Sequence, residues 1–277
     1  MLSERMLTGI VKNITKSHLV IDPTTEKFLP GPEPGRKYML YLHVPFCEVL
    51  CPYCSFIRYP FREATARPYF KNLRREMMML KDMGYDFESL YFGGGTPTIL
   101  LDELCRTIDM AGENFNIKEV ACETNPNHLV DPWLSALSGR VNRLSVGVQS
   151  FNNELLTQMD RCKKYGSGEE ILERIGNAAS RFDSLNVDMI FNFPSQTEEI
   201  LLDDIEKIKQ CGCRQTTFSP LYVSSATTHK MEQSLGTMDY NREFEFYKML
   251  DEGLCGGDAP AFKRETVWTF NRLNEKG

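Results

Sequence analysis

The chain has 277 residues and a formal net charge of −6, from 32 Lys and Arg against 38 Asp and Glu. This length allows one large domain or two small ones, and the acidic balance argues against a broad nucleic-acid-binding surface. No segment approaches the roughly 20 apolar residues that a membrane span requires. We therefore expect neither a nucleic-acid partner nor a membrane span.

Residues 1–37 are interpreted as an N-terminal arm and linker. MLSERMLTGIVKNITK lacks the long apolar run of a signal peptide, and LPGPEPGRK, near the end of the arm, has the prolines and glycines of a linker. The pattern allows an early helix or hairpin and no more. We expect a cytoplasmic protein, where thiols stay reduced, so nine cysteines, an odd number, favour metal ligands and core residues over disulfides.

After this arm, short apolar runs alternate with helical patterns. Strands are predicted at 39–45, 89–95, 119–125, 143–150, 185–194 and 215–223. Helices are predicted at 64–83, 101–114, 152–159, 168–181, 198–210 and 241–253, with a short helix after Pro132. Such repeats imply parallel strands with right-handed crossovers, in an open doubly wound sheet or in a full or partial barrel.

The positions of the chemically distinctive residues favour the barrel. All of them lie in or just after a predicted strand: the cysteines from Cys47 to Cys54, Gly93–Thr96, Glu123, Gln149 and Asp188. In a barrel the C-terminal ends of the strands converge on one mouth, where the chemistry takes place. We therefore predict an α/β fold with a partial (β/α)6 TIM-like barrel over residues 38–255.

Three cysteines with C-x3-C-x2-C spacing follow the first predicted strand: Cys47, Cys51 and Cys54. Thiolates hold iron–sulfur clusters, and a four-iron cube normally has four of them. Three thiolates leave one iron open to a ligand from outside the protein. Structural zinc usually needs a fourth Cys or His nearby, and strand alternation gives no reason for His43 to join the loop ligands. On spacing alone, zinc and plain burial stay open as alternatives.

Other strand ends supply further candidates for a cofactor site. In YFGGGTPT the three glycines lack a Cβ, so a ligand can approach the backbone closely. Glu123 in ETNPN can pair with a positively charged group of a cofactor. Asp188 interrupts an apolar strand, and because a buried, unpaired carboxylate is costly, a polar group must face it.

The stretch YLHVPFCEVLCPYCSF resembles the cluster loop of the radical SAM enzymes. More narrowly, it resembles the group of oxygen-independent coproporphyrinogen III oxidase, the related heme chaperone and the class C radical SAM methyltransferases. The resemblance runs from about residue 38 to the C-terminal end. It implies that Cys47, Cys51 and Cys54 bind a 4Fe-4S cluster whose open iron chelates S-adenosylmethionine (SAM). Reductive cleavage of SAM then yields a 5′-deoxyadenosyl radical, which the protein shields.

The same resemblance implies roles for individual residues near this cluster. The methionine part of SAM would be bound by Gly93, Gly94, Gly95 and Thr96. Glu123 would contact bound SAM, and the backbone of Tyr53 would meet its adenine. Tyr41 matches a tyrosine near the cofactor and substrate and is our candidate catalytic residue.

Three further matches imply a second SAM molecule, so we expect one or two per chain. Gln149 in GVQSF, Arg161 in MDRC and Asp188 in NVDMIFNFP match positions that line the second SAM site of the oxidase. Asp188 suits ribose hydroxyls as a hydrogen-bond acceptor. A second SAM site is what methyl transfer would require.

Phe56 stands where the oxidase typically carries an additional cysteine, two residues after the third ligand. This departure weakens the assignment as the decarboxylating oxidase and brings the loop closer to the heme chaperone and methyltransferase forms. Three hypotheses follow. The first is a radical SAM enzyme acting on a tetrapyrrole or other bulky ring, with an electron donor such as flavodoxin or ferredoxin. The second is a heme chaperone, and the third is a non-catalytic zinc or iron–sulfur module.

The C-terminal end departs from the same pattern. Members of the group usually continue past the barrel into a smaller helical domain that covers the substrate, whereas this sequence stops at VWTFNRLNEKG. We therefore expect residues 256–277 to be the start of a C-terminal domain that is largely missing.

Overall fold

The computed structural model describes residues 4–18, 29–224 and 227–273. The chain divides into two units, Met1–Pro34 and Gly35–Gly277. In the first unit, helix α1 spans Glu4–His18. The sequence pattern allowed either a helix or a hairpin here, and the structure has the helix. The predicted domain boundaries, after residue 37 and after residue 255, stay predictions.

The second unit alternates strands and helices. Its strands are β1 (Met39–Val44), β2 (Phe46–Cys47), β3 (Tyr59–Pro60), β4 (Ser89–Gly94), β5 (Glu119–Thr124), β6 (Arg143–Gln149), β7 (Ser184–Phe191), β8 (Gln215–Pro220), β9 (Phe262–Arg264) and β10 (Thr269–Arg272). Its helices are α2 (Glu63–Asp82), α3 (Leu101–Asn114), α4 (Trp133–Leu137), α5 (Asn153–Gln158), α6 (Cys162–Tyr165), α7 (Gly168–Ala178), α8 (Glu198–Gln210), α9 (Thr228–Leu235) and α10 (Glu243–Cys255). Short 3-10 helices lie at Pro97–Ile99 and Pro126–His128.

The main sheet has the strand order β1-β4-β5-β6-β7-β8-β10-β9. Its first six strands are parallel and are the six that the sequence predicts. Within the described residues the sheet runs from edge strand β1 to edge strand β9 without closing, which confirms a partial barrel. Strands β9 and β10 pair antiparallel with each other, and β10 pairs antiparallel with β8.

Packing on the two faces of the sheet separates the core from the site. In β1 the alternate residues Leu40, Leu42 and Val44 are buried, which is the two-residue period of a strand with one face covered. Helix α2 contributes Phe70 and Met77, both essentially inaccessible, to the same core cluster. The opposite face and the C-terminal strand ends are left for polar side chains. Among the described residues, no helix is long and apolar enough to cross a membrane.

Several predicted boundaries were wrong for local reasons. Strand β7 ends at Phe191 and not at residue 194, because Asn192 adopts a φ of 66° and turns the chain. Strand β8 likewise stops at Pro220. Helix α6 and strands β9 and β10 were not predicted, because each has only three or four residues, too few to show a helical or strand period.

Candidate active site

A cavity of about 520 Å³ opens at the C-terminal ends of the parallel strands. Every one of the six parallel strands, or the loop after it, supplies part of its wall. Among the predicted site residues, the cavity is lined by Cys47, Cys51, Tyr53, Cys54, Gly94, Gly95, Glu123, Gln149, Arg161 and Asp188. The structure therefore brings together residues that are far apart in the sequence.

The three cysteines lie on β2 and in the turn that follows it. The turn is closed by a hydrogen bond from the Cys54 amide to the Cys51 carbonyl, at 3.3 Å, and β2 is anchored by the Phe61 amide donating to the Cys47 carbonyl, at 2.8 Å. Burial raises the pKa of the Cys47 thiol to about 11 and also raises that of Cys54. Over residues 4–18, 29–224 and 227–273, no three His, Cys, Asp or Glu side chains converge closely enough to hold a single metal ion.

Arg161 lies beside these thiols and is 4% exposed. Its guanidinium donates to Cys51 Sγ at 3.5 Å, to Asn125 Oδ1 at 3.1 Å and to the Gly147 carbonyl. It also stacks over the ring of Tyr165, at 4.3 Å from the ring centroid. None of the contacts described for this guanidinium is with a carboxylate, and in the described part of the chain its buried Nε has no hydrogen-bond partner.

Arg58 is a second cation on the cavity wall, and it is not among the site residues that the sequence predicts. Its guanidinium folds back to donate to the carbonyls of Cys51, at 2.6 Å, and Phe56, at 3.3 Å. Its charge lowers the pKa of the Cys47 and Cys54 thiols, against the larger effect of burial. Its Nε is also buried and unpartnered among the described residues. Two cations without carboxylate partners thus flank three thiols, a setting that favours an anionic occupant.

The glycines at the end of β4 allow close contact with the cysteine loop. A Cβ on Gly95 would lie 2.7 Å from the Phe46 carbonyl oxygen and 2.9 Å from Cys47 Sγ, closer than real contacts permit. Gly94 has a φ of 120°, a conformation that other residues rarely adopt. Gly93 does not line the cavity and instead packs under the rings of Tyr41 and Tyr91.

Thr96 is fully buried and supports the site from behind the cavity wall. Its hydroxyl accepts a hydrogen bond from Asn125 Nδ2 at 2.8 Å and also interacts with the Cys47 thiol, whose pKa it lowers. Asn125 in turn accepts from Arg161. Thr96 therefore links the cysteine loop to Arg161 through one amide.

Glu123 accepts two hydrogen bonds on the cavity floor. The donors are the Gly94 amide, at 3.0 Å from Oε2, and the Tyr91 hydroxyl, at 2.8 Å from Oε1. Burial and the charge of Glu123 raise the pKa of Tyr91. Because both of its oxygens are engaged by neutral donors, the negative charge of Glu123 is available to a cationic group in the cavity.

Asp188 has the polar surroundings that its position in the sequence requires. Its carboxylate accepts from the Ser145 hydroxyl at 2.6 Å and from Asn186 Nδ2 at 2.7 Å. Burial raises its pKa to about 6, and the nearby charge of Glu123 acts in the same direction. The parallel register, in which Gly147 faces Asp188, places the carboxylate on the cavity wall.

Gln149 ends β6 at an irregular register and adopts a φ of 79°. The two residues after it are held by Asp204, which accepts from the Ser150 hydroxyl at 2.8 Å and the Phe151 amide at 2.7 Å. Asp204 is 1% exposed, and burial raises its pKa to about 7. Sequence reasoning missed Asp204, although an acid four residues before Ile208 on the apolar face of α8 was a usable signal.

Of the two predicted tyrosines, Tyr53 lines the cavity and Tyr41 does not. Tyr53 is buried on the cavity wall and packs edge-on against Phe193, with ring centroids 6.3 Å apart. Tyr41 is 49% exposed and does not line the cavity. It stacks on Tyr91 at 5.8 Å, and its hydroxyl lies 2.9 Å from His43 Nδ1.

The comparisons with known proteins agree on one family. The radical SAM superfamily model matches residues 41–208. Heme chaperone HemW of Lactococcus lactis is 30% identical over 206 residues, covering 72% of this chain and 52% of that protein. Oxygen-independent coproporphyrinogen III oxidase of Helicobacter pylori is 32% identical over 177 residues, covering 60% of this chain and 38% of that protein.

The solved structure of coproporphyrinogen III oxidase (HemN) from Escherichia coli has the same fold. It superposes with a TM-score of 0.77 at 23% identity, covering 88% of this chain and 57% of that chain. The present chain spans about half the length, or less, of the two curated relatives. Because the family model covers more than half of the residues, the chain belongs to the radical SAM superfamily, whose members typically bind a 4Fe-4S cluster and SAM.

Proposed function

We propose that the chain is a radical SAM enzyme of the oxygen-independent coproporphyrinogen III oxidase-like group, acting on a tetrapyrrole or other bulky ring substrate. The observation that carries this proposal is the grouping of three thiols and two unneutralised arginines around one cavity. Arg58 and Arg161 have no carboxylate partner among the described residues. Cysteine thiolates bound to a cluster would supply the negative charge that balances these two arginines.

In this proposal Cys47, Cys51 and Cys54 hold the cluster. The protein residues fit an anionic group, because the Arg161 guanidinium already points at Cys51 Sγ and Arg58 holds the same turn. When bound, the cluster supplies the electron that cleaves SAM to the 5′-deoxyadenosyl radical. A cytoplasmic donor such as flavodoxin or ferredoxin would deliver that electron.

The cavity floor would hold SAM. Gly94 and Gly95 let a ligand approach the backbone, and Glu123 offers a carboxylate to its amino group. Asp188, oriented by Ser145 and Asn186, offers an acceptor to ribose hydroxyls. Burial of these groups at the strand ends would keep water away from the reacting atoms.

A heme chaperone is the second candidate. Phe56 occupies the position where the oxidase typically has an additional cysteine, and HemW of Lactococcus lactis is 30% identical to this chain. Class C methyl transfer would use Gln149, Arg161 and Asp188 for a second SAM; all three line the cavity, and Arg161 also contacts Cys51.

Product analysis separates these candidates. The protein is reconstituted anaerobically, given SAM and dithionite, and assayed by mass spectrometry for 5′-deoxyadenosine and S-adenosylhomocysteine. The proposal predicts 5′-deoxyadenosine alone, whereas both products together would indicate methyl transfer. If neither product forms while the cluster is intact and heme binds stoichiometrically, the enzyme proposal is rejected in favour of the heme chaperone.

A further inference from the structure

Phe56 and Tyr222 are the two most exposed large hydrophobic side chains in the part of the chain that the structure describes, at 73% and 76%. Both border the cavity that holds the cysteines. An exposed aromatic ring forgoes the free-energy gain of burial, so the coincidence of both rings at one opening points to a ligand that covers them.

The topology brings the two rings to the cavity from opposite edges of the six-stranded parallel part of the sheet. Phe56 lies in the loop between β2 and β3, which follows β1, and Tyr222 comes two residues after the end of β8. Strands β1 and β8 are the first and last of the six parallel strands. A ligand in the cavity mouth can therefore meet one ring from each side.

The cavity lining combines polar and apolar side chains. Its polar groups include Glu123, Gln149 and Asp188. Its apolar groups include Val49, Ile190 and Leu221, besides the two aromatic rings. Ligand sites of about 300–1,000 Å³ commonly combine apolar walls with a few polar groups that fix orientation, and this cavity measures about 520 Å³.

We propose that Phe56 and Tyr222 form an aromatic rim that packs against the faces of a flat, carbon-rich ring system, and so select the substrate by shape. The inference rests on the proposed function, because it assumes that the substrate occupies this cavity. Aromatic rings gain from offset or edge-on contact with other rings. Neither contact requires the cluster or SAM.

Titration with coproporphyrin III, a flat tetrapyrrole, tests the rim on the reconstituted protein by porphyrin absorbance and fluorescence. Phe56→Ala and Tyr222→Ala are each expected to raise Kd by about tenfold, and the double variant by about 100-fold, since distant sites add. Tyr222→Phe should bind like the wild type, because the ring face and not the hydroxyl makes the contact.

Phe244→Ala is the matched control. Phe244 is 64% exposed on α10 and does not line the cavity, so its loss should leave Kd unchanged. Wild-type protein that does not bind the porphyrin would overturn the inference, as would unchanged Kd in Phe56→Ala and Tyr222→Ala. The second result would also be expected if the rings served a protein partner.

Measuring 5′-deoxyadenosine on the same preparations separates the two proposals. If SAM is cleaved but the Kd for porphyrin is the same in the rim variants and the wild type, only the present inference is overturned. Porphyrin binding that depends on the rim, without SAM cleavage, would overturn the enzyme and leave the rim in place.

Discussion

The Arg161 guanidinium lies 3.5 Å from the Sγ of Cys51, although the two residues are 110 positions apart in the sequence. Arg161 is anchored by Asn125 and the Gly147 carbonyl, and it rests on the ring of Tyr165. A cation held this firmly beside a thiol, with no carboxylate among its described contacts, stabilises negative charge on sulfur. Charge and hydrogen bonds at the sulfurs are known determinants of cluster potential.

Arg161→Met should therefore lower the reduction potential of the reconstituted cluster. If the Arg161 hydrogen bond stabilises the reduced cluster over the oxidised one by up to about 1.4 kcal/mol, its loss lowers the one-electron potential by up to about 60 mV. A redox titration followed by electron paramagnetic resonance measures it. Arg140→Met, which removes a surface ion pair with Asp109, is the control and should leave the potential unchanged. Equal potentials in wild type and Arg161→Met would refute the assigned contact.

Gly95→Ala should destabilise the protein and disturb the cysteine loop. The new Cβ would meet the Phe46 carbonyl oxygen at 2.7 Å, so backbone must move, at a cost of about 1–3 kcal/mol. Gly112→Ala is the control, because a Cβ there meets nothing within 4 Å in helix α3 and should stabilise by about 0.5–1 kcal/mol. Urea unfolding measures both, and equal effects of the two changes would contradict the packing described.

Asp204 should make stability depend on pH. Its folded-state pKa is about 7, above the ordinary value of 3.8, because burial disfavours the charged form. The stability contributed by the neutral form is present in full below pH 3.8 and is lost as pH rises through about 7.

Asp204→Asn should thus reduce the difference in unfolding free energy between pH 5 and pH 8, measured by urea titration at each pH. The neighbouring Asp203 is largely exposed and pairs with Lys207, so Asp203→Asn should keep the wild-type difference. The same pH dependence in both variants would show that Asp204 does not titrate in this range.

The sequence predicted the six parallel strands from local pattern, and it supplied ten of the residues that line the cavity, some from their spacing and others from the family resemblance. Apolar runs of strand length and the spacing of Cys47, Cys51 and Cys54 are readable without tertiary contacts. Arg58 and Asp204 were missed because their roles depend on long-range packing: one folds back on a turn and the other reaches a neighbouring loop. Tyr41 was placed near the site by resemblance, whereas its ring stacks on Tyr91 outside the cavity lining.

Asp188→Ala should weaken SAM binding without loss of iron. The carboxylate, oriented by Ser145 and Asn186, is proposed to accept from ribose hydroxyls, and loss of one charge-assisted hydrogen bond costs about tenfold in affinity. Isothermal calorimetry and iron analysis give the two quantities. Asp183→Ala, at a surface carboxylate that binds Asn142, is the control. Unchanged SAM affinity in Asp188→Ala would remove Asp188 from the site.

The most direct test of the central claim is electron paramagnetic resonance of the reduced, reconstituted protein with and without SAM. A cluster on Cys47, Cys51 and Cys54 has one iron open to SAM, so SAM should change the spectrum of the wild type. Cys51→Ala should lose the cluster signal, while Cys105→Ala, a half-buried cysteine on α3 outside the cavity lining, should behave like the wild type. A wild-type spectrum that SAM leaves unchanged, or an intact cluster in Cys51→Ala, would contradict the account.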